Sequence, residues 1–324
     1  RFTLRANGDL QANQILKLGS SIALTHLSDR QITSNSGEYG TVQQMLRMPA
    51  IIPVFRPDGY YYEPRGAQDN FIEENPLASA TIANQRFTRN RALTTVYAEL
   101  EPVKGLRFRT NVGADFIFDN FRAFRPGVPE LVVDGQTYST RYTQATSGAT
   151  ATASYAPSYL IENTLTFDRL LADRHQVTVL LGQSAQQFNF SNVEAYRTGF
   201  LRNDLQVINS GPINTQLANA GTIAPPARLA SYFGRINYEF AGKYLFQAIA
   251  RYDGSSSFPP GSKFGFFPGV SAGWRLSEEG FLKDNQVISN LKLRVGYGRV
   301  GNPNNAGRFA YLSAINSGIQ YPFG

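Results

Sequence analysis

The 324-residue chain has no cysteine, only two histidines and only one tryptophan. Nor has it an apolar run near the ~20 residues that a transmembrane helix requires. Without cysteine, and with only His26 and His175, a zinc site is short of ligands. The lack of thiols also suits a compartment where free thiols are a liability. Charged residues are scarce, at 17% against the ~25% of an average soluble protein. Positive charge dominates what there is, with a net charge of +7. No dense Lys/Arg run or nucleic-acid motif accompanies it, so nucleic acid is not expected as a partner. Arg1-Phe2-Thr3-Leu4 reads as mid-strand rather than as a signal peptide, so the chain is expected to begin inside a domain.

What is abundant is glycine and aromatic residues: 29 Gly, 17 Tyr and 23 Phe. Many Gly, many rings and few charges suit an all-β protein with exposed apolar surface. Mean hydropathy is −0.27, which excludes a helical membrane bundle but not a membrane barrel. A closed barrel leaves no backbone group unpaired in lipid. Its strands alternate, so half of their residues stay polar.

Alternation is the main signal. In Leu106–Phe116, Leu106, Phe108, Val112, Ala114 and Phe116 oppose Arg107, Arg109, Asn111, Gly113 and Asp115. The same pattern recurs in Tyr232–Phe240, Tyr244–Tyr252, Phe266–Leu276 and Leu291–Tyr297, and more weakly in Leu16–Leu24, Tyr159–Phe167 and Val177–Phe190. Strands are expected near 2–7, 13–27, 91–101, 105–118, 156–169, 174–190, 228–240, 243–254, 264–277, 288–300 and 308–318. Phe116, Tyr159, Phe188, Phe190, Tyr232, Tyr252, Phe266 and Trp274 are read as strand-end aromatics, where membrane barrels carry their girdles.

Connection lengths alternate too. Glu101–Gly105, Leu170–Asp173 and Ala241–Lys243 are short. Ser28–Asn90, Asp119–Tyr155 and Ser191–Ala227 are long. Outer-membrane barrels combine short periplasmic turns with longer extracellular loops, so the three long segments are expected outside. The parity continues if Asp253–Lys263 and Gly301–Gly307 are outside and Ser277–Ser289 inside, although the last is long for a periplasmic turn. A short helix is expected near Thr41–Met48, ahead of Pro49.

Two enzyme-like motifs fail on context. Gly296-Tyr297-Gly298-Arg299-Val300-Gly301 runs into Asn302-Pro303-Asn304-Asn305, which is turn chemistry rather than the helix a dinucleotide site needs. Gly269-Val270-Ser271-Ala272-Gly273 lies inside an alternating strand with no later histidine, so it is no nucleophile elbow. In a strand the adjacent pairs Glu73-Glu74 and Glu278-Glu279 would point to opposite faces. No enzyme activity, metal or cofactor is expected. The loop residues Phe55, Arg56, Asp58, Tyr60, Tyr61, Tyr62 and Arg65 combine rings with charge around a Pro-Asp-Gly turn. They are the candidates for binding a polar nutrient, with a loop that only packs on the barrel rim as the equal alternative.

The block Arg228–Asn302 carries a resemblance. It contains Ser231-Tyr232-Phe233-Gly234-Arg235-Ile236-Asn237-Tyr238, Lys243-Tyr244-Leu245-Phe246 and Arg251-Tyr252-Asp253-Gly254-Ser255-Ser256-Ser257-Phe258. Phe267-Pro268-Gly269-Val270-Ser271-Ala272-Gly273-Trp274, Glu279-Gly280-Phe281, Leu291-Lys292-Leu293-Arg294-Val295-Gly296-Tyr297-Gly298 and Gly301-Asn302 follow. In order and spacing this resembles the SusC/RagA family of TonB-dependent outer-membrane transporters. Asn75-Pro76 and Gly105-Leu106-Arg107-Phe108 resemble it more loosely.

The resemblance implies a transmembrane antiparallel β-barrel of about 22 strands, of which this chain is one section of about half, with the plug domain elsewhere. It implies active import of oligosaccharides or peptides, energised by TonB. It also implies a SusD-like surface lipoprotein as partner, with a dimer of SusC–SusD pairs as a further assembly, and outer-membrane lipid around the barrel. Arg109, Asp115, Arg235, Glu239, Arg251, Asp253 and Arg275 would then face the lumen or the plug. The competing readings are a passive porin or structural barrel and a secreted β-rich carbohydrate-binding protein.

Overall fold

A computed structural model of the chain describes residues 1–32, 41–62, 75–82, 84–138, 143–213, 219–283 and 287–302. The strand expected near 308–318, the pair Glu73-Glu74 and Arg65 lie outside the described residues. The remainder is a single antiparallel sheet of 11 strands with a small hairpin and two short helices. In chain order these are β1 (Phe2–Gln11), β2 (Leu16–Gln31), α1 (Thr41–Arg47), α2 (Pro76–Thr81), β3 (Asn84–Val103) and β4 (Leu106–Arg125). The hairpin β5 (Leu131–Val133) and β6 (Gln136–Tyr138) follows, then β7 (Gly148–Tyr155), β8 (Ser158–Leu171) and β9 (His175–Thr198). The series ends with β10 (Ala220–Phe240), β11 (Tyr244–Ser255), β12 (Phe264–Arg275) and β13 (Lys292–Gly298).

Leaving the β5–β6 hairpin aside, the sheet is a meander from β1 to β13. β7 and β8 share one place between β4 and β9. They are one strand interrupted at Ala156-Pro157, where proline has no N–H to give the ladder. The interruption is small: Ala156 N–H still donates to Ile117 O at 2.9 Å, and Pro157 O accepts from Asn189 N–H at 2.9 Å. Pro225-Pro226 does the same in β10, where the register slips between Ala224 and Ala227.

The strands run longer than their alternation suggested. β3 and β4 have 20 residues each and β9 has 24, about twice the ~9–11 that cross a bilayer. Both ends of each segment that reads as loop, 28–90, 119–155 and 191–227, are therefore strand. β7 was missed altogether. Its sequence, Gly-Ala-Thr-Ala-Thr-Ala-Ser-Tyr, alternates alanine with hydroxyl residues, too little apolar contrast to register. The helix expected near Thr41–Met48 forms at Thr41–Arg47.

All tight turns lie at one end of the sheet: 12–15, 104–105, 172–174 and 241–243. Ala172-Asp173 and Ala241-Gly242 both hold positive φ at two successive residues. That is the geometry whose twist matches a two-stranded ribbon. The long connections 32–83, 126–147 and 199–219 all leave the other end.

Register separates two faces, because residues opposite one another share a side. One row runs Val96–Val112–Ile161–Ala185–Ala230 across β3, β4, β8, β9 and β10. Another runs Phe167–Val179–Ile236–Ala248–Val270–Tyr297. These apolar side chains are exposed or half-exposed, and the buried apolar clusters are small and confined to the loop end. The opposite face carries every Asp and Glu of the paired registers and most of the Lys and Arg.

Aromatic residues border the apolar face at both ends. At the tight-turn end, His175, Phe240, Tyr244 and Trp274 form a cross-strand row with ring centroids 4.9, 6.3 and 6.3 Å apart. At the other end Phe116 meets Tyr159 at 6.0 Å, Phe118 stacks on Tyr155 at 4.6 Å and Tyr252 on Phe264 at 4.8 Å. Phe188 and Phe190 do not join this border. They fall on the charged face, in register with Ser158 and Ala224. Tyr232 stands directly opposite Tyr252 and so joins the border, although β10 continues well beyond it.

Glu279, in the turn after β12, anchors the tight-turn border. Its carboxylate accepts from Lys243 Nζ at 2.9 Å, Tyr244 OH at 2.8 Å and Trp274 Nε1 at 3.0 Å. These donors, Lys243 first, hold its pKa down to about 2. A depressed carboxylate contributes stability above the unfolded value of 4.5, and loses it as pH falls through the folded value. The emission of Trp274, taken as the difference between wild type and Trp274→Phe, is expected to hold steady down to about pH 3 and to shift through about pH 2. Glu279→Gln is expected to abolish that transition. A transition unchanged in the variant would remove Glu279 as its origin.

Candidate functional site

The charged face is the candidate site, and alternation puts it together. Arg109 and Asp115 on β4, Arg235 and Glu239 on β10, Arg251 and Asp253 on β11 and Arg275 on β12 all occupy rows of this one face.

Across β1–β4 the face carries a linked network. Lys17 and Asp9 pair at 3.4 Å, and Tyr97 OH donates to Asp9 at 2.6 Å. The Arg109 guanidinium lies 3.7 Å over the Tyr97 ring, pairs with Glu99 at 3.5 Å and donates from Nε to Asn111 at 3.1 Å. Gly19 lies beneath the Tyr97 ring, where a Cβ would collide with it. The chain thus trades a side chain for an aromatic lid across the strands. Of this network only Arg109 was singled out from sequence. Asp9, Lys17, Tyr97 and Glu99 sit at alternate positions of their strands, so their face was legible, but their contacts depend on register.

On β10–β12 Arg251 pairs with Asp253 at 2.8 Å, donates to Ser231 Oγ at 3.1 Å and lies 5.1 Å from the Phe233 ring centroid. Ser231, Arg251 and Asp253 border a cavity of about 390 Å³ that also touches Phe258, Phe267 and Asn302. Nearer the tight turns Arg275 pairs with Glu239 at 3.1 Å and donates to Gly242 O at 2.8 Å. A second cavity of about 410 Å³ lies there, between Thr178, Asn237, Gln247, Ser271 and Arg294. Asp115 is paired with Arg91 at 2.7 Å. Arg235 is exposed, with Leu180 and Ile249 opposite it. Among the described residues no three His, Asp or Glu side chains are grouped as metal ligands.

The loop candidates form a separate unit at the far end. Arg56 has a side chain 0% exposed, pairs with Asp58 at 2.6 Å and donates to Pro129 O at 3.1 Å and Tyr138 O at 3.4 Å. Its guanidinium holds the Asp58 carboxyl below the usual carboxylate range. A buried charge whose donors are taken by its own protein clamps the 53–62 segment to the β5–β6 hairpin rather than offering itself to a ligand. Asn75 completes the clamp. Its Oδ1 caps α2 by accepting from Leu77 and Ala78 N–H, and its Nδ2 donates to Val54 O and Tyr62 O at 2.9 Å each. Phe55 and Tyr60 are exposed, and Tyr61 and Tyr62 half-buried, beside this frame. Tyr61 accepts a hydrogen bond from Thr81, and Tyr62 lies edge-on to Tyr138 at 6.1 Å.

Comparison with known proteins agrees with this geometry. The family model of the TonB dependent receptor-like β-barrel matches residues 23–323. TonB-dependent receptor P26 of Formosa agariphila is 28% identical over 309 residues, which cover 93% of this chain and 29% of that protein. TonB-dependent receptor SusC of Bacteroides thetaiotaomicron is 30% identical over 257 residues, 78% of this chain and 24% of SusC. The chain thus spans less than a third of the length of the curated relatives it matches. The solved structure of the RagAB peptide transporter superposes with a TM-score of 0.71 at 20% identity, over 91% of this chain and 32% of that one. At that identity the likeness speaks for the fold alone. The sheet with one apolar and one charged face, bordered by aromatic rows, is a section of barrel wall, and the chain belongs to the TonB dependent receptor-like β-barrel family of the outer membrane.

Proposed function

We propose that this section of wall serves active, TonB-driven import across the outer membrane, with oligosaccharides or peptides as cargo and a SusD-like lipoprotein at the loop end. The observation that carries the reading is the division of faces. A charged side opposite an apolar side with aromatic borders is what a lumen wall in lipid requires. The apolar face meets lipid, the charged face meets the lumen or a plug, and the long connections lie outside the cell. Arg109, Arg251 and Arg275, each held by a carboxylate, give the lumen fixed charges, while Arg235, with no ion-pair partner among the described residues, is the one to meet cargo. Phe55, Tyr60, Tyr61 and Tyr62 supply rings to the mouth, and Arg56 and Asp58 hold them in place. The peptide class rests on the RagAB peptide transporter among the similar structures, and the oligosaccharide class on the resemblance that Arg228–Asn302 carries.

Uptake of labelled oligosaccharides and peptides by cells producing the full-length protein tests the reading. Uptake is expected with TonB and is expected to fall to background without it. Equal uptake in both strains would leave a passive pore. Co-purification of a surface lipoprotein with the full-length protein tests the partnership.

A further inference from the structure

The outward surface of the loop end carries an arginine row that the import reading does not use. Arg30, Arg86 and Arg122 stand directly opposite one another on β2, β3 and β4. They are exposed and lie on the apolar face's side of the sheet. Neighbouring strands are ~4.8 Å apart, and like charges directly opposite destabilise a sheet. Nothing acidic among the described residues relieves this. Every Asp and Glu in the paired registers of the large sheet, from Asp9 to Asp253, falls on the charged inner face. Two inner-facing arginines of the same strand behave differently: Arg89 pairs with Asp119 and Arg91 with Asp115, each at 2.7 Å. Among the described residues Arg30 makes one 3.4 Å hydrogen bond, to Thr81 O. Arg86 and Arg122 have no ion-pair partner among the described residues.

The rows below the arginines are graded. Directly beneath lies Ser28–Thr88–Asn120, then His26–Asn90–Phe118, then Leu24–Ala92–Phe116. His26 Nδ1 and Asn90 Oδ1 are 2.8 Å apart. From lipid outwards the surface therefore passes from apolar through aromatic and amide to hydroxyl and then guanidinium. Arg122 is four residues beyond Phe118, roughly 13 Å along the strand. At the ~40° tilt of barrel strands that is about 10 Å outside the aromatic border, the depth of lipid headgroups.

We propose that the Arg30–Arg86–Arg122 row binds the phosphate groups of an acidic glycolipid of the outer leaflet, whose acyl chains lie against the apolar rows below. The inference rests on the reading that the apolar face meets lipid and the long connections lie outside. Guanidinium groups take phosphate oxygens by paired, charge-assisted hydrogen bonds. The Ser28–Thr88–Asn120 row would add neutral donors at the same depth. A bridging anion would also remove the like-charge repulsion along the row.

The test uses the full-length transporter in detergent, with diphosphorylated lipid A and its dephosphorylated form as probes, read by native mass spectrometry. Wild type is expected to bind the diphosphorylated form and to bind the other at least about tenfold more weakly. The triple variant Arg30→Gln, Arg86→Gln, Arg122→Gln is expected to lose about tenfold or more in affinity for the diphosphorylated form. Arg169→Gln, on the same face at the tight-turn end, is expected to leave it unchanged. Heat-modifiable gel migration confirms folding. If the triple variant fails to fold, Arg86→Gln alone, at the centre of the row, is expected to weaken binding about threefold to fivefold. Unchanged affinity in the folded variant, or binding indifferent to phosphate, would overturn the proposal. A cysteine placed in the 256–263 connection and labelled on intact cells by an impermeant reagent checks orientation separately. Labelling without lipid A binding would sink this proposal and leave the import reading standing.

Discussion

Replacing Leu181 with arginine is expected to destabilise the barrel in a bilayer by about 2–4 kcal/mol, the cost of a guanidinium on the lipid side at mid-depth. Leu181 is 56% exposed on the apolar face, between Leu165 and Gly234 on the flanking strands. It stands midway between His175 in one aromatic border and Gln187 beside the other, so no short path lets the charge snorkel to water. Ser184 is the control. It lies close by on the same strand but on the charged face, between Glu162 and Ser231. Arginine there is expected to cost less than about 1 kcal/mol, as at exposed sites beside an opposite charge. Urea unfolding of the full-length protein from lipid bilayers reads both. Equal losses at the two positions would mean that the faces have been assigned wrongly.

Gly105→Ala is expected to cost about as much, by a different route. Gly105 closes the turn between β3 and β4 at φ +89°. A side chain there carries a left-handed penalty of about 1–2 kcal/mol. A Cβ would also run into the backbone carbonyl of Asp168 on β8, and backbone in a ladder cannot swing away. That overpacking adds about 1–3 kcal/mol. The turn is tied at both groups of the glycine: its N–H donates to Glu101 Oε1 at 2.9 Å, and its carbonyl accepts from Asp168 N–H at 2.8 Å. Gly242, at φ +73° in the turn between β10 and β11, has open space where its Cβ would go, apart from Glu239 Oε1 at 3.9 Å. Gly242→Ala is therefore expected to show only the conformational part, about 1–2 kcal/mol. A loss at Gly105 no greater than at Gly242 would show that the strands relax around the added methyl.

Much of the architecture was readable from alternation because barrel walls are two-sided along their whole length. Leu106–Phe116 and Tyr244–Tyr252 have the strongest contrast and fall within observed strands. Contrast fails where both sides are water. Residues 119–125 of β4 and 191–198 of β9 continue past the aromatic border, so their outward positions no longer need to be apolar. They looked like loop for that reason. β7 failed for a related one, since alanine satisfies the outward face without announcing it. The β5–β6 hairpin is too short to show a period.

For the site, the face of a residue was legible and its partners were not. Arg109, Arg251 and Arg275 could be placed on one side from their position in the alternation. That Arg109 stacks on Tyr97, or that Tyr97 reaches Asp9 across β2, depends on which residue stands opposite which. Arg56 takes the packing role that its local pattern leaves open beside ligand binding. Its neighbours Phe55, Asp58 and Tyr60 suit either role, and the folded loops bury it completely as a clamp. Nothing local signals burial, because the carbonyls it meets belong to Pro129 and Tyr138.

The sequence by itself determined the two faces, the tight turns and the family. A side-chain period of two allows only one assignment of a strand once one face must be apolar, and turn residues with positive φ are chosen locally. Tertiary structure decided everything that runs across strands: the row Arg30–Arg86–Arg122, the Lys17–Asp9–Tyr97–Arg109 network, and the strap from Glu279 to Trp274. Register brings together residues tens of positions apart, and the hydrogen bonds that set it are made by a backbone common to every sequence.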